Sequence, residues 1–297
     1  MQDLPGRHIR TLFLLALALL IGACSSLRLS YDYGDTLLYW WLDSYVDVDS
    51  GQKAALKRDI DKLFQWHRKS QLKDYVQLLK LGQQQLQGNV TQADVLADYN
   101  AVMSRASLLL FKAEPELADL ARSLRPEQLL QMEKKFASNN DDFRKKYLRG
   151  DVEKRRKLHF QKSMEQFELW FGSFSREQEE SIRQASDARP LDDNIWLDER
   201  VRRQKNIMAL LQKVQLDKTG KEATMLLIHD LITDSFEPPQ NSEHKALLDA
   251  HANATAQLIF SVTRIATAAQ IAHARKRMQG WIDDFGKLAA DARADAR

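Results

Sequence analysis

The chain has 297 residues, with 44 Lys and Arg against 41 Asp and Glu, a formal net charge of +3 and 44% hydrophobic residues. So near a balance gives no global reason to expect nucleic acid as a partner. A single cysteine excludes a disulfide framework, and the length suffices for one large domain or two small ones.

Arg7 and Arg10 precede an apolar run from Thr11 to Ile21, and the small residues Gly22 and Ala23 then lead into Cys24. The run is shorter than the roughly 20 apolar residues a membrane span needs. Its order of charge, apolar stretch and small residues predicts a cleavable secretory signal over residues 1–23. Ile21-Gly22-Ala23-Cys24 resembles the lipobox of bacterial lipoproteins. That resemblance implies diacylglycerol on the Cys24 sulfur and an acyl chain, palmitate or similar, on its new amino group. Several acyl chains together make a durable anchor. Ser25 after the cysteine resembles the outer-membrane sorting rule of enteric lipoproteins. The implied location is the outer membrane, lipid-anchored and facing the periplasm, with the membrane as first partner.

Residues 24–33 read as a tether, and residues 34–290 as one all-helical domain. Leu56, Ile60, Leu63 and Phe64 recur at helical spacing, as do Phe160, Met164, Phe167 and Phe171, and again Leu258, Val262, Ile265 and Ala269. Such stripes predict amphipathic helices packed in a bundle, and no period-two alternation or hairpin signal competes with them. The expected class is therefore all-α, a multi-helix bundle. Helices are expected near 34–47, 50–69, 72–87, 92–113, 115–123, 126–149, 151–172, 176–188, 194–216, 220–235, 241–264 and 267–290. Asp49-x-x-Gln52 and Ser175-x-x-Gln178 have capping-box spacing, Arg125-Pro126-x-Gln128 adds proline at the first helical position, and Thr91 opens a further start. Linkers are expected at 87–89, 188–190 and 237–241, with a subdomain hinge near 188–191 and a frayed tail over 291–297.

Tyr31, Tyr33, Tyr39, Trp40, Trp41 and Tyr45 put six aromatics into fifteen residues close behind the cysteine. Helical spacing groups Leu38, Trp41, Leu42 and Tyr45 as a buried face and leaves Trp40 for contacts. Trp66-His67-Arg68 is the most site-like short motif: His67 lies on the side of Leu63 and Phe64 as a packed histidine, and Arg68 reaches for a carboxylate on another helix. The basic run Arg144, Lys145, Lys146, Arg149, Lys154, Arg155, Arg156 and Lys157 is expected to be a solvated face held by i, i+4 ion pairs, with contact to anionic lipid headgroups or an acidic client as the alternative. His244 and His251 lie seven apart with Leu247 and Leu248 between them, which is not a metal spacing. His-Glu-x-x-His, Gly-x-Ser-x-Gly and glycine-rich phosphate loops are missing from the sequence. No catalytic residue, metal or cofactor is expected beyond the covalent lipid on Cys24.

Val48…Gln52…Leu56, Leu124…Gln128…Met132 and Phe174…Gln178…Ile182 share one wider pattern. The last two resemble the Leu-Thr-x-x-Gln motif of small helical periplasmic chaperones and stress adaptors, although Arg125 and Ser175 stand in place of Thr and Phe174 in place of Leu. A second resemblance covers most of the chain. It rests on the lipobox with Ser25–Tyr31, on Leu37-Leu38-Tyr39-Trp40-Trp41-Leu42-Asp43-Ser44-Tyr45, and on Trp66-His67-Arg68…Leu72…Tyr75. Together these are similar to a family of uncharacterised proteobacterial lipoproteins, a domain of unknown function, which implies an all-helical periplasmic protein and no named activity. Trp40, Trp66, His67, Arg68, Gln128 and Gln178 are the candidate interaction residues. The expectation is an envelope scaffold or adaptor acting on an unidentified envelope protein. Chaperone-like client binding is the alternative, and an enzyme on envelope lipid or glycan a third reading.

Overall fold

The structure is a computed structural model that describes residues 28, 31–190, 192–236 and 243–294. The signal, Cys24 and the 237–241 linker lie outside those residues. Every regular element among them is helical: α1 Gly34–Val46, α2 Ser50–Trp66, α3 Leu72–Gln85, α4 Gln92–Lys112, α5 Glu114–Ser123 and α6 Pro126–Phe143, followed by α7 Val152–Phe171, α8 Arg176–Asp187, α9 Asp193–Asp217, α10 Lys221–Phe236, α11 Glu243–Ile265 and α12 Ala268–Ala294. The chain is all-α.

Two expected helices contain a π-turn. His67–Gln71 joins α2 to α3 without a break, and Arg144–Leu148 continues α6. In the first, the Leu72 N–H bonds to the His67 carbonyl five residues back. The wider turn takes in an extra residue and resets the face of the helix that follows. Leu72 thereby becomes fully buried against Phe285, Leu288 and Ala289 of α12.

The stripes in α2 and α7 form core as expected: Leu56 and Ile60 bury with Tyr39, while Phe160, Met164, Phe167 and Phe171 bury with Ile182, Leu258 and Val262. The third stripe fails at its end. Ala269 is exposed and Gln270 is buried, because α11 and α12 meet at a corner near Ala266 and Thr267 that breaks the helical period. A second core joins Val46, Leu124, Leu129 and Met132 to Met208 and Leu211 of α9.

Both ends of the helical body are held more firmly than expected. Within the stretch read as a tether, Arg28 pairs with Asp291 at 3.1 Å and Tyr31 packs against His67. The expected tail is helical through Ala294, with Ala292 buried. At the expected hinge, the Arg189 guanidinium donates to Ser186 Oγ at 2.8 Å and to Ser163 Oγ at 3.1 Å. Those bonds fasten residues 188–190 to α7 and α8, and Leu191 lies outside the described residues.

Candidate functional site

Gln128 and Gln178 each belong to a pair of glutamines that clasps two helix corners. Gln128 pairs with Gln52, and Gln178 with Gln270, across sequence separations of 76 and 92. Each side chain plays the same three parts. Its Oε1 accepts the N–H of its own N-cap residue: Asp49, Arg125, Ser175 or Thr267, at 2.8–3.1 Å. Its Nε2 donates to the carbonyl two residues before the partner's N-cap. Those carbonyls are Ser123 for Gln52, Asp47 for Gln128, Ile265 for Gln178 and Ser173 for Gln270, at 2.7–3.1 Å. The paired amides also donate to each other, at 2.8 and 3.1 Å in the first clasp and 2.9 and 3.2 Å in the second.

Local sequence explains the geometry. At each corner an apolar residue precedes the N-cap, and the residue seven beyond it (Leu56, Met132, Ile182 or Ala274) is buried. That seats the corner so its N3 glutamine faces the partner. In the first clasp Asp47 takes a left-handed φ of 50°, which Asp tolerates, and so ends α1 two residues before its N-cap neighbour. The N-cap side chains add an ion pair there, Arg125 on Asp49. The Asp49 carboxyl is held below its ordinary range, first by the Gln52 backbone N–H and then by Arg125. Gln128 is 2% exposed. Its amide is committed inside the fold. Gln52 and Gln270 were not among the sequence candidates; the signal available was the apolar, N-cap, x, x, Gln spacing recurring at all four corners.

Trp66, His67 and Arg68 sit where α2 passes into its π-turn. The Tyr31 hydroxyl lies 2.6 Å from His67 Nδ1, and Tyr75 packs on the other side of the ring at 5.4 Å between centroids. Burial pushes the Tyr31 hydroxyl up to about 12 and holds His67 below the usual histidine range. A protonated phenol and a neutral imidazole share one hydrogen bond, which the hydroxyl donates when the ring proton sits on Nε2 and accepts when it sits on Nδ1. Arg68 lies over the Tyr31 ring at 5.2 Å and reaches Asp32 at 3.9 Å, so its carboxylate partner lies just ahead of α1. Trp66 is half-buried, with Lys112 over its ring. Among the described residues, no three His, Cys, Asp or Glu side chains are grouped to hold a metal ion.

Trp40 lies on an exposed apolar stripe of α1. Tyr33, Leu37, Trp40 and Trp41 follow i, i+4, i+7, i+8 and are 59%, 53%, 61% and 56% exposed. Trp41 was expected in the buried face; Tyr39 and Val46 take that place instead. The reason is that α1 is apolar on nearly all sides. Its inner side meets Leu56, Ile60 and Leu120, while Leu37, Trp40 and Trp41 on its outer side stay more than half exposed. A helix hydrophobic all round is ordinarily enclosed, and an exposed apolar patch of this kind marks an interaction surface.

Fold and site together define a class: an all-helical protein whose corners are tied by two glutamine clasps and whose first helix leaves an aromatic stripe open. Residues 44–234 match the family described as "Family of unknown function (DUF6279)", and the chain belongs to that family. The matched region holds the whole first clasp, the Trp66-His67-Arg68 turn and Gln178; it ends before Gln270. No curated protein and no solved structure matches the chain.

Proposed function

We propose that this protein is a lipid-anchored scaffold or adaptor of the bacterial envelope, tethered through Cys24 in the outer membrane and facing the periplasm. It acts by binding another envelope protein. The observation that carries the reading is the outer side of α1. Four large apolar side chains, each more than half exposed, begin nine residues after the proposed lipid-bearing cysteine. Tyr and Trp suit such a contact, since each joins a large apolar body to a polar tip. The first clasp supports it in a second way: Gln128 holds the carbonyl of Asp47 at the end of α1, so a partner meets a preformed face.

Two measurements in cells test this. A photo-crosslinking residue at Trp40 should capture one defined envelope protein, whereas a smear of unrelated proteins, or none, removes the adaptor role. A Cys24→Ala change should shift the protein out of the membrane fraction or stall its processing while leaving its helical content intact. Continued membrane retention of a processed, acylated form would overturn the anchor.

A further inference from the structure

The basic segment folds into a groove rather than a flat face. The second π-turn forms one wall, and the chain reverses at Gly150, whose φ is 96°. The first turn of α7 forms the other wall, with the Asp151 carboxylate accepting the Lys154 N–H at 2.8 Å. A Cβ at Gly150 would stand 2.7 Å from Lys154 Cδ. Glycine therefore permits both the positive φ and the close approach of the lysine stem. The groove is open to solvent on one side and holds about 540 Å³.

Six cationic side chains line this groove (Lys145, Lys146, Arg149, Lys154, Arg155 and Lys157), and none of its lining residues is acidic. The i, i+4 pairs expected from the sequence are not what forms. Arg144, Lys145 and Arg156 pair at i, i+3 with Asp141, Asp142 and Glu153, at 2.7, 3.5 and 3.4 Å, and Lys146 lies over the Tyr147 ring. Lys146, Arg149, Lys154, Arg155 and Lys157 have no ion pair among the described residues. Elsewhere the protein gives some such groups carboxylates and leaves others without: Arg202 and Arg203 share Glu199 and Lys221 meets Asp119, while, among the described residues, the other basic groups without an ion pair are not gathered in one groove. Five like charges gathered about a single carboxylate, Asp151, repel one another.

We infer that this groove binds a ligand carrying at least two phosphate groups. A phosphate monoester carries about −1.5 to −2 charges at neutral pH, so two of them together with Asp151 balance the five unpaired cations. Arg149 and Arg155 supply planar forks that take phosphate oxygens in pairs, while the lysines act as point charges on either wall. Two sources share this chemistry, a diphosphorylated lipid headgroup and a free polyphosphate. The site stands apart from the α1 stripe and does not depend on the scaffold reading.

The test uses the full-length protein in uncharged detergent micelles, titrated calorimetrically with tripolyphosphate or with micelles containing diphosphoryl lipid A. Inorganic phosphate and phosphatidylcholine micelles serve as the weak-binding controls. Saturable binding of either two-phosphate probe is expected, weakening as salt rises. Binding of tripolyphosphate assigns a free ligand, and binding of lipid A alone assigns a headgroup. The variant Arg149→Ser/Lys154→Ser/Lys157→Ser loses three charge-assisted contacts on exposed side chains and should bind about 100-fold more weakly. Lys134→Ser/Arg176→Ser/Lys213→Ser, equal in charge but outside the groove, should bind as the parent does. If the first variant does not melt like its parent, Arg149→Ser alone carries the comparison, with an expected loss of about tenfold. Failure of both probes to bind, or equal loss in the two triple variants, overturns the site.

Discussion

The contact between Tyr31 and His67 is made by a donor and an acceptor that each keep one protonation state. Protonating His67 would make Nδ1 a donor only, so that it would donate to the Tyr31 oxygen 2.6 Å away. It would also place a cation beside Arg68, which lies over the Tyr31 ring. The folded protein therefore favours neutral His67, and burial holds its pKa below the unfolded value of about 6.5. The sign of the linkage follows. A histidine that titrates lower when folded contributes its stability in full above about pH 6.5. That contribution is lost as pH falls from there through the depressed folded value, and it is level below. Tyr31→Phe removes the bond to neutral His67 and should cost about 1 kcal/mol at pH 8. Its cost should grow toward pH 5 as His67 is protonated, because the imidazolium Nδ1–H then donates a charge-assisted bond to the phenol oxygen. Thermal melts of parent and variant across that range check it, and a cost that does not change with pH would show that the hydroxyl is not reading the imidazole.

At the scale of elements, the clasps make a claim about which residues share an energy. Gln52→Ala removes a donor from Ser123 and from Gln128, and leaves the Asp49 N–H without its acceptor. Stranding such groups costs about 1–3 kcal/mol. Gln128→Ala strands the facing set, so the double variant should be less harmful than the sum of the singles, by about 1 kcal/mol or more. Gln128→Ala and Gln178→Ala lie in different clasps and should add to within about 0.5 kcal/mol. Urea melts of the singles and doubles decide this, and additivity within the Gln52–Gln128 pair would remove the clasp as a unit. The capping starts at Asp49 and Ser175 were legible in the sequence because capping is local, three residues from end to end. The pairing was not legible. Four glutamines with equivalent neighbours allow three ways to pair, and only tertiary packing selects the two clasps that form. The π-turns were equally silent, since one extra residue in a turn changes the hydrogen-bond register without changing composition. On α1 the difficulty was reversed. Six aromatics in fifteen residues give more apolar surface than one face can bury, so spacing alone did not say that Tyr39 turns inward and Trp41 outward.

Across the whole molecule, the family match ends at residue 234, before α11 and α12 begin, and the physical unit does not end there. Phe160, Met164, Phe167 and Phe171 of α7 are buried partly by Leu258 and Val262 of α11, and Leu72 of α3 by Phe285, Leu288 and Ala289 of α12. Gln178 also depends on Gln270 for its partner. A chain ending at Phe236 would uncover part of each of those five large side chains, at up to about 1.5–3 kcal/mol each. That sum reaches the roughly 5–15 kcal/mol that holds a whole domain folded. Such a chain should keep much of its far-ultraviolet helical signal, bind a hydrophobic dye, and lose the sharp melting of the full protein. The first clasp, complete within the remaining residues, should preserve local protection of its own amides in hydrogen exchange while α7 and α8 exchange freely. A single sharp melt from the shortened chain, with α7 still protected, would mean that the two clasped regions fold independently and that the last two helices are an addition to a finished core.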